Sequence, residues 1–240
     1  MRDMSLSATV STLTLMGFTA MSLGSCESVD YVEAFETEAS ITRIIVNADV
    51  GDLVVIGGER DTVRVERRVD GWKGGIDLTS QLVDGELTLD ARCTGFLGCR
   101  VDTTLEVPAG AEIVVAVGEG EITLTNLSGP VSVDLASGDV SGHGLIASAV
   151  DATVTSGDVL LQFDRAPTLV SAALASGDLF LQLPGELVDA ALDLAGGEAV
   201  LDNVALLDDV SLLGAVGRAG SRVEVISAGG DVYLTGTAAR

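Results

Sequence analysis

From about residue 40 onward the chain is written in short alternations of apolar and polar residues, interrupted by glycine. Alternation with a period of two is the signature of a strand with one buried face. At the interruptions a unit recurs: glycine, an acid, then an aliphatic residue that opens the next alternation. It reads Gly51-Asp52-Leu53, Gly85-Glu86-Leu87, Gly120-Glu121-Ile122, Gly138-Asp139-Val140, Gly157-Asp158-Val159, Gly177-Asp178-Leu179, Gly197-Glu198-Ala199 and Gly230-Asp231-Val232. The central steps are 18, 19, 20 and 20 residues, and the flanking steps are 34, 35 and 33. Gly185-Glu186-Leu187 falls out of this register.

A unit of about 20 residues spans roughly 65 Å at ~3.3 Å per residue, the length of one coil of three short strands and their turns. The pattern therefore predicts an all-β fold, a parallel β-helix or solenoid of roughly 20-residue coils. About 10 coils would extend roughly 50 Å. In that register Leu135, Val154, Leu174 and Leu194 form one inward ladder, and Val140, Val159, Leu179 and Ala199 another. No unit could bury its apolar face alone, so stability comes from stacking. An antiparallel β-sandwich is the alternative built from the same short strands. The best helical candidate is the Ala-rich segment 186–195, but it lies within the repeat register.

The N-terminus follows a different pattern. Residues 5–25 carry no charge, Arg2 precedes them, and Cys26 follows. A basic start, an apolar run and small residues before a cut describe a signal peptide. Leu23-Gly24-Ser25-Cys26 resembles the bacterial lipobox, which implies cleavage before Cys26 and lipid on its sulfur. Glu27 stands where aspartate would imply inner-membrane retention, so the resemblance implies an outer-membrane lipoprotein. The expected organisation is a signal peptide over 1–25, an acidic tether over 26–39 and the β-solenoid over 40–240.

Composition narrows the function. Hydrophobic residues make up 47% of the 240, which excludes a disordered chain. The formal net charge is −23, from 36 acids against 13 bases. Nucleic acid is excluded as a partner because phosphate binding needs clustered Lys and Arg. The same charge repels anionic lipid, so the membrane is expected as a partner only through the N-terminal lipid.

Four features could carry chemistry. Asp139, Asp158, Asp178 and Glu198 would stack on one edge, where a row of carboxylates suits a hard cation such as calcium. The competing explanation is turn chemistry, with glycine supplying the backbone angle and the acid bonding the local backbone. Cys93 and Cys99, the remaining cysteines once Cys26 is lipidated, read as a disulfide. Two cysteines and one histidine are too few ligands for a structural zinc site, so no metal is assigned. His143, the only histidine, lies near Ser141 and Asp139, but Ser141 is not in a G-x-S-x-G elbow. Trp72, the only tryptophan, sits in a Gly-rich turn and either caps the stack or anchors a partner. No catalytic residue and no cofactor is assigned.

The run Thr104-Leu105-Glu106-Val107-Pro108-Ala109-Gly110 and the turns Ser137-Gly138-Asp139-Val140, Ser156-Gly157-Asp158-Val159 and Ser176-Gly177-Asp178-Leu179 resemble a bacterial family named as adhesins, of uncharacterised function. The resemblance covers residues 40–240, most clearly 103–183, and implies a right-handed parallel β-helix-like fold. The expected function is a non-catalytic, lipid-anchored envelope solenoid for surface contact, adhesion or scaffolding. Its partner would be an envelope protein or polysaccharide. Two alternatives remain open at this point: a carbohydrate lyase or hydrolase, and an envelope regulatory module that binds protein. The first would need bases on one face, and after Arg100 only Arg165, Arg218 and Arg222 precede the terminal Arg240.

Overall fold

A computed structural model describes residues 27–37, 40–94, 98–185, 187–203, 205–206 and 221–237. Among these residues every regular element is a strand. The first seven are β1 (Ser28–Thr37), β2 (Arg43–Val50), β3 (Leu53–Gly58), β4 (Val63–Trp72), β5 (Ile76–Val83), β6 (Glu86–Cys93) and β7 (Arg100–Pro108). The central eight are β8 (Glu112–Glu119), β9 (Ile122–Thr125), β10 (Val131–Ser137), β11 (Val140–Leu145), β12 (Ala149–Ser156), β13 (Val159–Phe163), β14 (Leu169–Leu174) and β15 (Leu179–Pro184). The last five are β16 (Leu187–Leu194), β17 (Ala199–Asp202), β18 (Ala205–Leu206), β19 (Ser221–Ser227) and β20 (Val232–Thr237).

The strands form two ten-stranded sheets. The first runs β1-β4-β7-β3-β9-β11-β13-β15-β20-β17, and the second β18-β16-β19-β14-β12-β10-β8-β2-β6-β5. At ~4.8 Å between strands each sheet is about 45 Å long. Each coil gives one strand to the second sheet, turns at its glycine and acid, and gives one strand to the first. The inner faces meet in a long aliphatic core that includes Val133, Leu135, Val140, Val154, Leu161, Leu174 and Leu181, with a smaller cluster of Val69, Ala91 and Val101 at the N-terminal end. Valine and leucine at alternate positions fill most of this narrow interior, with Phe163 buried among them and Phe35 packed against it, which explains how 3% aromatic content suffices.

The architecture is thus all-β, mostly parallel and solenoid-like, and several expectations change. Coils carry two strands, not three, because the return from the first sheet to the second is irregular: residues 164–168, for example, carry no strand. The antiparallel sandwich does not hold. Among the described residues only β1–β4, β4–β7 and β5–β6 pair antiparallel, all at the N-terminal end. Gly85 is not a coil turn. Asp84 (φ 50°) and Gly85 (φ 83°) form the two-residue hairpin between β5 and β6, a Type I′ signature. The Ala-rich segment 186–195 is largely β16 rather than a helix. The acidic segment 26–39, expected as a tether, contains the ten-residue strand β1, paired along its length with β4.

Coil order also departs from chain order. The β2/β3 coil lies between β6/β7 and β8/β9, and the β19/β20 coil lies between β14/β15 and β16/β17. Leu194 therefore stacks beside Ser227 rather than Leu174, and Ala199 beside Val232 rather than Leu179. The late coil brings Val223, Val225, Val232 and Leu234, all buried between coils on both sides. The terminal coil meets them with Ala190, Leu192, Ala199 and Leu201 at the paired positions.

Candidate functional site

The coil turns build a continuous spine along one edge of the stack. Gly138, Gly157 and Gly177 have φ of 127°, 136° and 120°. Each faces the next coil's backbone so closely that a Cβ could not fit: at Gly157 it would stand 1.8 Å from the Gly138 carbonyl oxygen, and at Gly177 2.0 Å from that of Gly157. The acids that follow bond across coils. Asp139 Oδ1 accepts the Asp158 N–H, Asp158 Oδ1 that of Asp178, and Asp178 Oδ1 that of Asp231, each at 2.8 Å. Asp231 Oδ1 then accepts the Glu198 N–H at 2.9 Å. A second run joins Asp102 to Asp52 and Asp52 to Glu121, both at 2.9 Å. Each carboxylate thus satisfies a backbone donor at the bend between sheets.

Of the four residues expected to stack, Asp139, Asp158 and Asp178 are direct neighbours, and Glu198 is separated from them by Asp231. Among the described residues no group of three or more His, Cys, Asp or Glu is arranged to hold a metal ion. Sequence reading missed Asp102, which joins the spine without a preceding glycine, and misplaced the Gly230-Asp231 turn, whose motif was visible but whose neighbours were not. Arg100 braces the early run, with Nη2 at 2.5 Å from Asp52 and Nε at 2.8 Å from Asp102. Partial burial works to raise the Asp52 pKa, but the Glu121 N–H and the Arg100 guanidinium outweigh it and hold it below the usual value.

The other candidates lie apart. Ser141 shares a hydrogen bond with Thr123 at 3.3 Å, while His143 Nδ1 shares one with Gln162 at 2.9 Å. Both side chains are engaged with neighbouring strands rather than with each other. Cys93 and Cys99 form a disulfide, Cα to Cα 5.5 Å, in the connection where other coils have glycine and an acid. Cys26 lies outside the described residues. Trp72 ends β4 opposite Ser28, at the corner where β1 begins.

A buried ion pair was not anticipated. Arg67 points inward from β4, its side chain only 2% exposed, with Nη1 3.7 Å from Glu33 and Nη2 donating to the Thr79 carbonyl at 3.2 Å. Burial pushes its pKa down, against the pull of Glu33 and Asp90. On the outer face of the first sheet, Phe180 and Tyr233 stack with ring centroids 4.7 Å apart. Leu160 lies beside Phe180, and Val200 beside Tyr233. Gln162, Gln182 and Thr235 line up in the adjoining row.

These features define a solenoid-like protein of two mostly parallel sheets, joined at a glycine–acid edge. Residues 76–235 match the Toastrack DUF4097 family, and the chain belongs to it. The match begins at β5, so β1 to β4, which build the N-terminal end and one inserted coil, precede it. A "putative cell adhesion protein" from Clostridium sporogenes shares the fold, with a TM-score of 0.50 and 13% identity over 87% of this chain and 100% of that one. A "putative adhesin" from Bacteroides fragilis gives a TM-score of 0.43 and 13% identity over 85% of this chain and 97% of that one. No curated protein matches. Among the described residues no helix is long and apolar enough to cross a membrane.

Proposed function

We propose that the chain is a bacterial envelope lipoprotein, cut before Cys26, held by lipid there, and used without catalysis to display a stiff surface for contact, adhesion or scaffolding. The outer membrane is its proposed site, on the strength of Glu27. The observation that carries this reading is the outer face of the first sheet. There Leu160, Phe180, Tyr233 and Val200 make an apolar stripe beside the uncharged row of Gln162, Gln182 and Thr235, on a chain of net charge −23. A contiguous apolar lane, exposed at Phe180 and Val200 and half-buried at Leu160 and Tyr233, suits a partner on such a surface, an envelope protein or polysaccharide. The spine supports the reading too, because the run of cross-coil bonds from Asp139 to Glu198 ties together the coils that carry that lane.

Cross-linking in intact cells, followed by capture of the full chain, tests it. Discrete envelope partners should be recovered with wild type and lost with Cys26→Ala. An identical partner set from both would refute anchored display. Robust turnover of cell-wall or envelope polysaccharide by the purified chain would replace it with an enzymatic function.

A further inference from the structure

The anchor reading has a geometric consequence at the N-terminal corner. β1 starts at Ser28, so one residue, Glu27, separates the strand from Cys26. Glu27 is itself fixed. Its carbonyl accepts the Lys73 N–H at 2.9 Å, and its carboxylate lies 3.1 Å from Lys73 Nζ. Consecutive Cα atoms are ~3.8 Å apart, so a lipid on Cys26 would be attached one residue step from Glu27, which is bonded to the turn between β4 and β5. Trp72 opens that turn, half-buried and opposite Ser28. Lys73 follows, its side chain 72% exposed. The disulfide braces the corner. A Cβ on Gly71 would lie 2.9 Å from the Cys99 Cβ, which places the Cys93–Cys99 disulfide directly against β4.

We propose that this corner is a membrane-contact foot: Trp72 and Lys73 rest in the headgroup region of the same bilayer that holds the Cys26 lipid. The inference rests on lipidation of Cys26. With no tether between lipid and strand, the corner cannot stand off the surface. Tryptophan favours the boundary between hydrocarbon and water, where its ring is half-solvated and its N–H finds a partner. Lysine reaches phosphate from the same depth. Charge sets the orientation. Residues 27–100 hold 15 acids and 8 bases, whereas residues 101–240 hold 20 acids and 4 bases. Anionic lipid therefore repels the later coils more strongly than the foot, and the stack projects away from the membrane.

The chain's single tryptophan makes the test direct. The full protein is purified from membranes, its Cys26 examined by mass spectrometry, and the material reconstituted into phosphatidylethanolamine–phosphatidylglycerol vesicles with or without lipid brominated near the headgroup. Trp72 emission should shift to shorter wavelength on reconstitution and lose most of its intensity in brominated vesicles. A Trp72→Phe/Val200→Trp variant, which moves the fluorophore to the terminal coil, should keep its emission. Lipidated Cys26 with unquenched Trp72 overturns the foot alone, and so does equal quenching at both positions, which would mean that the stack lies flat. An unmodified Cys26 overturns the anchor reading and the foot with it.

Discussion

Asp178 Oδ1 accepts the backbone N–H of Asp231 at 2.8 Å, across 53 residues of sequence. The bond joins β15's turn to that of a coil made much later in the chain, and it adds to the β14–β19 and β15–β20 ladders that hold the inserted coil. On one side the inserted turn is held by Asp178, and on the other it holds Glu198. The β14/β15 and β16/β17 coils, consecutive in sequence, are separated in space by the inserted coil.

Replacing Asp178 by alanine removes the acceptor for a half-buried N–H. Net hydrogen bonds to a charged acceptor are worth about 1.5–3 kcal/mol, and exposure at the edge lowers this, so a loss of about 1 kcal/mol is expected. Asp178→Asn keeps an oxygen acceptor and should lose less. Urea unfolding of the three proteins reads the order directly, and equal stability would remove the spine's energetic role.

Glycine at the bend is a steric requirement. Gly157→Ala sets a Cβ 1.8 Å from the Gly138 carbonyl at φ 136°, while Gly74→Ala, at φ 81°, meets nothing within 4 Å. The first should cost at least about 3 kcal/mol, enough to threaten a domain of ordinary stability, and the second about 1 kcal/mol. Thermal unfolding distinguishes them, and a well-folded Gly157→Ala protein would contradict the tight stacking.

Acid should weaken the Asp52 contacts. The folded pKa of Asp52 is below its unfolded value of 3.8. A depressed carboxylate contributes stability that is complete above the unfolded pKa and lost as pH falls through the folded one. The stability difference between wild type and Asp52→Asn should thus be full near neutrality and shrink below pH 3.8. Urea midpoints at several pH values measure it. A difference that is constant with pH would show that the Asp52 charge contributes nothing.

Divalent cations should leave the fold unchanged. The spine aspartates already accept N–H groups at 2.8 Å, so neither EDTA nor calcium should move the melting temperature. A rise specific to calcium over magnesium would show that the free carboxylate oxygens gather an ion.

Much of this was legible in the chain because its causes are local. The period-two alternation gave the strands, and the demand for glycine next to an acid marked seven true bends. The mistakes share a physical origin. Gly85 carries the same motif letters as the bends, yet the preceding Asp84 makes a tight hairpin. β1 was hidden because Glu33 occupies an inward position between Tyr31 and Phe35 and breaks the alternation. Its partner, Arg67, lies on β4, far along the sequence. Coil order depends on pairing between distant segments, such as β15 with β20 and β14 with β19. The Phe180–Tyr233 stack follows from that order and was invisible for the same reason.

Site-specific photocross-linking in living cells tests anchored display most directly. A photoreactive residue replaces Phe180 on the first sheet's exposed lane, and in a separate protein Ser171 on the outer face of the second sheet. Display through the lane predicts a discrete envelope adduct from position 180, absent with Cys26→Ala and much weaker from position 171. An adduct from 171 but none from 180, or one from 180 that persists without Cys26, would contradict it.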